Sequence, residues 1–317
     1  MPPTLEPLSR WISTGHITMP APEEQKQKWW GDRLVTARHD RLIRRAAGRD
    51  IPRLESIRAG DGSGAWMTCV PSALHNTIIP SSEYTALTKW HLGIAQLPTD
   101  SAGQRCGPCG RPIDPHGDHA VSCEYSRLHE RPLGVQSFIF QGLQESKIVH
   151  AREQAVDDTR VRPADILLTA WRNGQDMAID ITVVHANPVH RVRTAGSAAS
   201  VLRAADANKR REYEPECTRA GVLFEPLVMD TWGGLHGASR ATWKSIVAVA
   251  TRSYAPSARA ARSGTINQGL SVALMRGVAK QLAMTSLASE VNDTGAESAE
   301  DEAADDAMYA DSDQDAA

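Results

Sequence analysis

Residues 162–185 decide the fold: Arg162-Pro163-Ala164-Asp165-Ile166-Leu167-Leu168-Thr169-Ala170-Trp171-Arg172-Asn173-Gly174-Gln175-Asp176-Met177-Ala178-Ile179-Asp180-Ile181-Thr182-Val183-Val184-His185. Two short apolar runs, Ala164–Ala170 and Met177–His185, read as strands, and Arg172–Gln175 supplies the turn residues between them. Each run holds a carboxylate where a core strand is ordinarily apolar. Asp165 opens the first, and Asp180 sits inside Ala-Ile-Asp-Ile-Thr-Val-Val in the second. Burying such a group without a partner costs roughly several kcal/mol. Two on neighbouring strands repel unless a cation lies between them.

Working outward, the order from residue 125 is helix (125–147), strand (148–152), the two carboxylate strands, helix (196–213) and strand (222–229). Within the first helix Leu128, Leu133, Val135, Phe138, Ile139 and Leu143 fall on one side, and Pro132 is expected to kink or restart it. A three-strand meander followed by a crossover predicts a mixed sheet in an α/β fold, covered by helices on both faces. Helices over 238–254 and 268–287 follow. Lys209 and Tyr213 are four residues apart on the 196–213 helix and face the same way.

Upstream, residues 106–123 contain Cys106, Cys109, His119 and Cys123 in the spacing C-x2-C-x9-H-x3-C. Zinc takes about four N or S ligands in a tetrahedron. Gly107, Pro108, Gly110, Pro112, Pro115 and Gly117 cannot pack a core, so a metal explains how this loop folds. His116 competes with His119 for the third position, and the tighter spacing to Cys123 favours His119. The clustering of three cysteines suggests metal binding rather than a disulfide scaffold.

The rest of the N-terminal region is mainly helical. A long helical pattern follows Pro20–Pro22 to about Gly48, with Arg38, Arg41, Arg44, Arg45 and Arg49 on its polar side. That side can track phosphates or simply face water. Residues 59–65 form a loop without a phosphate-binding fingerprint. Trp66–Val70 reads as a short strand, Ser81 or Ser82 caps a helix to about Leu92 with Glu83 in its first turn, and 98–104 reads as a linker.

The net charge of −3 conceals an asymmetry. Residues 290–317 hold 11 acidic side chains and no Lys or Arg, leaving +8 over residues 1–289. The body permits a polyanionic partner, and the segment from 288 onward is expected to be a disordered acidic tail. Tyr309-Ala310-Asp311 superficially matches a polymerase motif, but its charged setting marks it as chance. With 41% hydrophobic residues the chain can bury a core. It shows no 18-residue apolar run and no signal-peptide pattern, so no membrane partner is expected, and a nuclear or cytoplasmic setting is.

Two carboxylates suit Mg²⁺, which takes few protein oxygens and completes its shell with water and phosphate. Asp165 and Asp180, with 14 residues between them across a hairpin, are the candidate Mg²⁺ ligands, and Lys209 is the candidate to position a water or offset phosphorane charge. The same residues also fit a strand-start surface acid and a salt-bridged core acid.

Pro163-Ala164-Asp165, the 14-residue gap and Asp180-Ile181-Thr182 resemble the PD-(D/E)xK nuclease signature. With the Cys-Cys-His-Cys knuckle upstream, the chain resembles the C-terminal region of site-specific non-LTR retrotransposon polyproteins, over about residues 55–285. The resemblance is carried by Gly117-Asp118-His119 through Cys123, Arg162–Leu168 and Ala178–Val184. It implies a restriction-like endonuclease domain (124–287) behind a CCHC zinc knuckle (106–123), nicking DNA with Mg²⁺, and element RNA as a further partner. Asp165 and Asp180 match the metal-binding acids. Thr182 stands where many such nucleases have lysine, and Lys209 on the next helix matches its substitute, with Tyr213 one turn on. Glu145 or Glu153 matches an extra upstream acid. Ala164 departs from the strict Pro-Asp pair.

No polymerase palm is legible in residues 1–105. The expectation is a detached tail of such an element, beginning near Met1 as a truncated or mispredicted reading frame. An active nickase and an inactive zinc-containing nucleic-acid binder or domesticated fragment are the two functional readings.

Overall fold

Asn173 and Gly174 both take positive φ, 52° and 78°, the geometry of the two-residue hairpin turn that Asn-Gly favours. This turn joins β2 (Ile166–Arg172) to β3 (Gln175–Val184). Both strands therefore run closer to the turn than the hydrophobic runs indicated. The pairing is antiparallel, with Ile166 opposite Ile179 and Leu168 opposite Met177, and it shifts before Arg172 meets Gln175. Ala170 absorbs that irregularity at φ 51°, its amide held by Asp176 Oδ1 at 2.8 Å. β1 (His150–Arg152) pairs antiparallel with β2, and β4 (Leu223–Asp230) pairs parallel with β3. The result is the expected mixed sheet, four strands in the order β1-β2-β3-β4.

The computed structural model describes residues 27–59, 62–97, 104–106, 109–123, 125, 130–152, 164–187 and 197–290. Residues 1–19, most of the 98–104 linker, Leu128, Glu153, Arg162-Pro163 and the acidic tail beyond Glu290, with Tyr309–Asp311, lie outside these. The α-helices of the described residues are α1 (Gln27–Arg45), α2 (Asp50–Ala59), α3 (Ser81–Leu92), α4 (Asp118–Ser122), α5 (Glu130–Glu145), α6 (Ala198–Arg219), α7 (Gly237–Ala250) and α8 (Pro256–Glu290).

The period-2 alternation of β3 separates two faces. Met177, Ile179 and Ile181 join Ile166, Leu168, Leu227 and Met229 in a core closed by Val135, Ile139 and Leu143 of α5, Trp243 and Ile246 of α7, and Leu274 of α8. Each such side chain contributes roughly 1.5–3 kcal/mol by leaving water. The opposite face carries Ala178, packed with Ala164, Cys217 and Phe224, and there α6 crosses over from β3 to β4. A further core, with Trp66, Leu87, Trp90, Val121, Trp232 and Leu282, gathers α3, the 106–123 segment, the loop after β4 and α8 into one body.

Several local expectations are corrected. Trp66–Val70 is no strand: Ala65–Thr68 is a 3-10 turn that drives Trp66 into the core. Pro80, not a serine, precedes α3, and no side chain caps it. Pro132 lies in the first turn of α5, where its missing N–H has no intrahelical duty, so it neither kinks nor restarts the helix. Leu133, expected inward, is exposed. α6 continues past Pro215 to Arg219, and α8 begins at Pro256, twelve residues before its apolar part. Among the described residues no helix is long and apolar enough to cross a membrane.

Candidate functional site

The hairpin register places the two aspartates together. The Ile166–Ile179 pairing, extended by one residue, sets Asp165 opposite Asp180 on the α6 face of the sheet. Directly opposed side chains in such a pair have Cβ atoms about 4.5–5.5 Å apart. Asp165 Oδ2 accepts the Ile181 amide at 2.6 Å, and the Gln136 amide of α5 donates to the Asp165 carbonyl at 3.0 Å. Asp165 is thereby held at both its backbone and its carboxylate.

Asp180 is buried. Its Oδ1 receives Lys209 Nζ at 3.0 Å, and its Oδ2 receives the Thr182 hydroxyl at 2.8 Å. Thr182 thus supplies a hydrogen bond at the position where lysine was sought, and the amine comes from α6. A carboxylate has about four lone-pair sites, so two hydrogen bonds leave Asp180 room for a cation. Tyr213 lies one turn along α6, its ring 5.1 Å from Lys209 Nζ. Its hydroxyl is pushed up to about 12, first by its hydrogen bond to Glu212, then by burial and the nearby carboxylates of Glu212, Asp180 and Asp165. It acts as a neutral donor, not as a phenolate. Asp165, Asp180, Lys209 and Tyr213 therefore share one face of the molecule. Glu145 is elsewhere: at the end of α5 it pairs with Arg262 at 3.2 Å.

The second constellation is the Cys3His cluster. Cys106, Cys109, His119 and Cys123 offer ligand atoms all within 4.8 Å of one another. Cys106 and Cys123 Sγ are 4.0 Å apart, and Cys109 Sγ is 3.3 Å from His119 Nε2. Tetrahedral zinc with bonds of about 2.0–2.3 Å requires spacings of this order. His116 is not in the cluster. Asp114 shapes the turn, its carboxylate accepting the amides of His116, Asp118 and His119. Burial pushes the Cys106 thiol up to about 11. Burial also opposes ionisation of Cys109, but the Arg111 amide and the neighbouring thiols donate to it and bring it below its usual value. These four residues can hold a metal such as zinc, which would deprotonate the thiols.

Sequence reasoning missed a polar group beside this cluster. Asp118 of α4, 2% exposed, accepts Arg49 Nε at 2.7 Å and Asn187 Nδ2 at 3.1 Å. His185, directly after β3, places Nε2 3.3 Å from Asp118 Oδ1, out of line for a well-formed hydrogen bond. Its Nδ1 meets the Thr231 hydroxyl at 2.9 Å. Burial lowers the His185 pKa, against the pull of Asp118. Burial also works against the Asp118 charge, but His185 and Arg49 outweigh it and hold the carboxyl below its usual range. The Thr-His-Asp order resembles a hydrolase triad, yet Thr231 is 0% exposed and no substrate reaches it. The signal in the sequence was a histidine closing an apolar strand, which has many readings.

No protein-family model and no curated protein matches the chain.

Proposed function

We propose that the protein is a Mg²⁺-dependent, restriction-like DNA endonuclease of retrotransposon origin, nicking the backbone by phosphodiester hydrolysis. The observation that supports this reading is the placement of Asp165 opposite Asp180 with the Lys209 amine at 3.0 Å from Asp180. Two hard carboxylate oxygens, one within β3 and one at the entry to β2, are the donor set Mg²⁺ prefers. When bound, Mg²⁺ supplies charge for the phosphoryl oxygens and lowers the pKa of a coordinated water. Asp165 and Asp180 hold that charge in place. Lys209 releases part of its ion pair to face the scissile phosphate, and Tyr213 donates its hydroxyl proton as a hydrogen bond. Water oxygen bonds to phosphorus and gives up a proton to solvent, the phosphorus–oxygen bond to one sugar breaks, and the departing oxygen takes up a proton from solvent.

The Lys209–Asp180 pair also favours a second reading. An ammonium already neutralising Asp180 is what a non-catalytic nucleic-acid-binding remnant would keep for stability. A plasmid-nicking assay separates the two. The nuclease reading expects nicked circles with Mg²⁺, none with chelator, and none from Asp180→Ala with unchanged circular dichroism. Absence of nicking in Mg²⁺ or Mn²⁺, with salt-sensitive DNA or RNA binding retained, establishes the binder instead.

A further inference from the structure

The Cys3His segment is built into the body of the protein. Gly117 takes φ 90°, and a Cβ there would lie 2.6 Å from Leu282 Cδ2 of α8. Val121 is 0% exposed and His119 1%. The Gln96 and Leu97 amides, following α3, both donate to the Pro115 carbonyl, at 2.7 and 3.1 Å. A knuckle seated this way has one face committed to the protein interior.

One of its polar connections runs to the end of β3. Asp118 immediately precedes the ligand His119 at the start of the five-residue helix Asp118–Ser122, which Cys123 caps at its C-terminus. Across from it stands His185, the residue that closes β3. His185 is bracketed by the rings of Trp90 and Trp232, at 5.6 and 4.9 Å between centroids, and is tied to Thr231. Thr231 in turn donates its amide to the Val184 carbonyl at 3.0 Å. Asn187, two residues on, holds the other Asp118 oxygen. Five residues back along the same strand is Asp180, about 17 Å away at strand rise. In between, the Ile181 amide donates to Asp165.

We propose that Asp118 and His185 form a latch through which metal binding at the Cys3His cluster fixes the C-terminal half of β3, and with it the spacing of Asp165 and Asp180. The physical basis is the weakness of α4 alone. Five residues cannot hold a helix in water without external constraints. A metal bound by His119 and Cys123 clamps both ends of that turn. Asp118 then has a fixed position from which to engage Arg49, His185 and Asn187. Without the metal the turn loosens, Asp118 leaves, and His185 and Asn187 lose the partner that aligns the strand end. The latch makes Asp118 a positioning residue acting through β3, and makes the knuckle's metal a structural regulator of the carboxylate pair. This coupling does not require that the pair cleave DNA.

Linkage provides the test, because coupling between two sites is reciprocal. Cobalt(II) is the probe, its thiolate absorption reporting occupancy of the cluster, and exchange of the Ile181 amide reports the Asp165 contact. In the full wild-type chain, metal is expected to slow Ile181 exchange at least tenfold. Asp118→Asn is expected to bind cobalt with the same absorption but about 10-fold more weakly, in the range seen for outer-shell partners, and to lose most of the slowing at Ile181. Asn187→Ala, which leaves the Asp118 charge in place, is expected to show the same two effects in weaker form and serves if Asp118→Asn does not fold. Metal that leaves Ile181 exchange unchanged in the wild type overturns the proposal, as does an Asp118→Asn or Asn187→Ala variant with wild-type cobalt affinity and full protection.

Discussion

Lys209 and Asp180 meet between α6 and β3, Nζ to Oδ1 at 3.0 Å, with side chains 27% and 12% exposed. Under the proposed nuclease function a pair so placed serves catalysis and stability at once, and the two contributions separate on substitution. Lys209→Met keeps the stem and removes the charge. Nicking is expected to fall on the order of 10²–10⁴-fold, while urea denaturation shows a loss of only about 1 kcal/mol. Mg²⁺ is expected to stabilise Lys209→Met more than wild type, since the ion then neutralises Asp180 in place of the ammonium. Equal stabilisation of the two proteins excludes a cation site at Asp180.

Thr182 donates to the second oxygen of Asp180. Thr182→Val preserves shape and removes that donor. The expected cost is about 1 kcal/mol of stability, with a fall of about fivefold in nicking rate, the same energy expressed as a rate. A Thr182→Ser variant restores the hydroxyl and is expected to recover most of the rate. Failure of serine to do better than valine would show that the hydroxyl does not orient the carboxylate.

The Cys3His cluster excludes His116. Atomic emission on purified protein is expected to find about one zinc per chain, in keeping with a four-ligand site. His116→Ala is expected to retain it, and His119→Ala or Cys109→Ser to lose most of it and to melt at lower temperature. Zinc retained in His119→Ala but lost in His116→Ala reverses the assignment.

Asp230 ends β4 with no exposure, and burial pushes its carboxyl up to about 6, opposed by the Ser56 hydroxyl and the amides of Trp232, Gly234 and Gly233. An unfolded aspartate titrates near 3.8. Folded Asp230 therefore holds its proton more tightly than the unfolded chain does. Its contribution to stability is fully present below about pH 4 and is lost as pH rises through about 6. The loss is on the order of 3 kcal/mol for a shift of this size. Asp230→Asn keeps the shape without the titration. Denaturation midpoints of the two proteins are expected to diverge in favour of the asparagine variant between pH 4 and 7, and parallel curves contradict the assignment.

Gly277 lets α8 pass close to the start of α5: a Cβ there would lie 2.9 Å from the Arg131 Cα. Gly277→Ala is expected to destabilise by about 1–3 kcal/mol through overpacking, although alanine favours helices. Thermal melting checks the sign, and a stabilised variant would mean that the two helices separate without cost.

The strand pattern was legible because alternation and an Asn-Gly turn are local. Those features specify β2, β3 and their hairpin whatever surrounds them, and the hairpin in turn brings Asp165 and Asp180 into register. The four metal-ligand candidates were legible for the same reason, since C-x2-C and H-x3-C are short-range spacings. Boundaries were less legible where one residue has two uses. Pro132, expected to kink or restart a helix, lies in the first turn of one, Pro256 opens another and Pro215 sits within a third.

The sequence by itself determined the order of elements, the two awkward acids, the cysteine and histidine spacing and the lysine four residues before Tyr213. Tertiary structure alone decided which groups meet across the fold. The Lys209 ion pair, the Gln136 hold on Asp165 and the Asp118–His185 contact span 29, 29 and 67 positions of chain. Local propensity carries no information on such distances. They are fixed when apolar faces of the sheet and helices pack together, and the polar groups left at the seams must find each other or remain buried without partners.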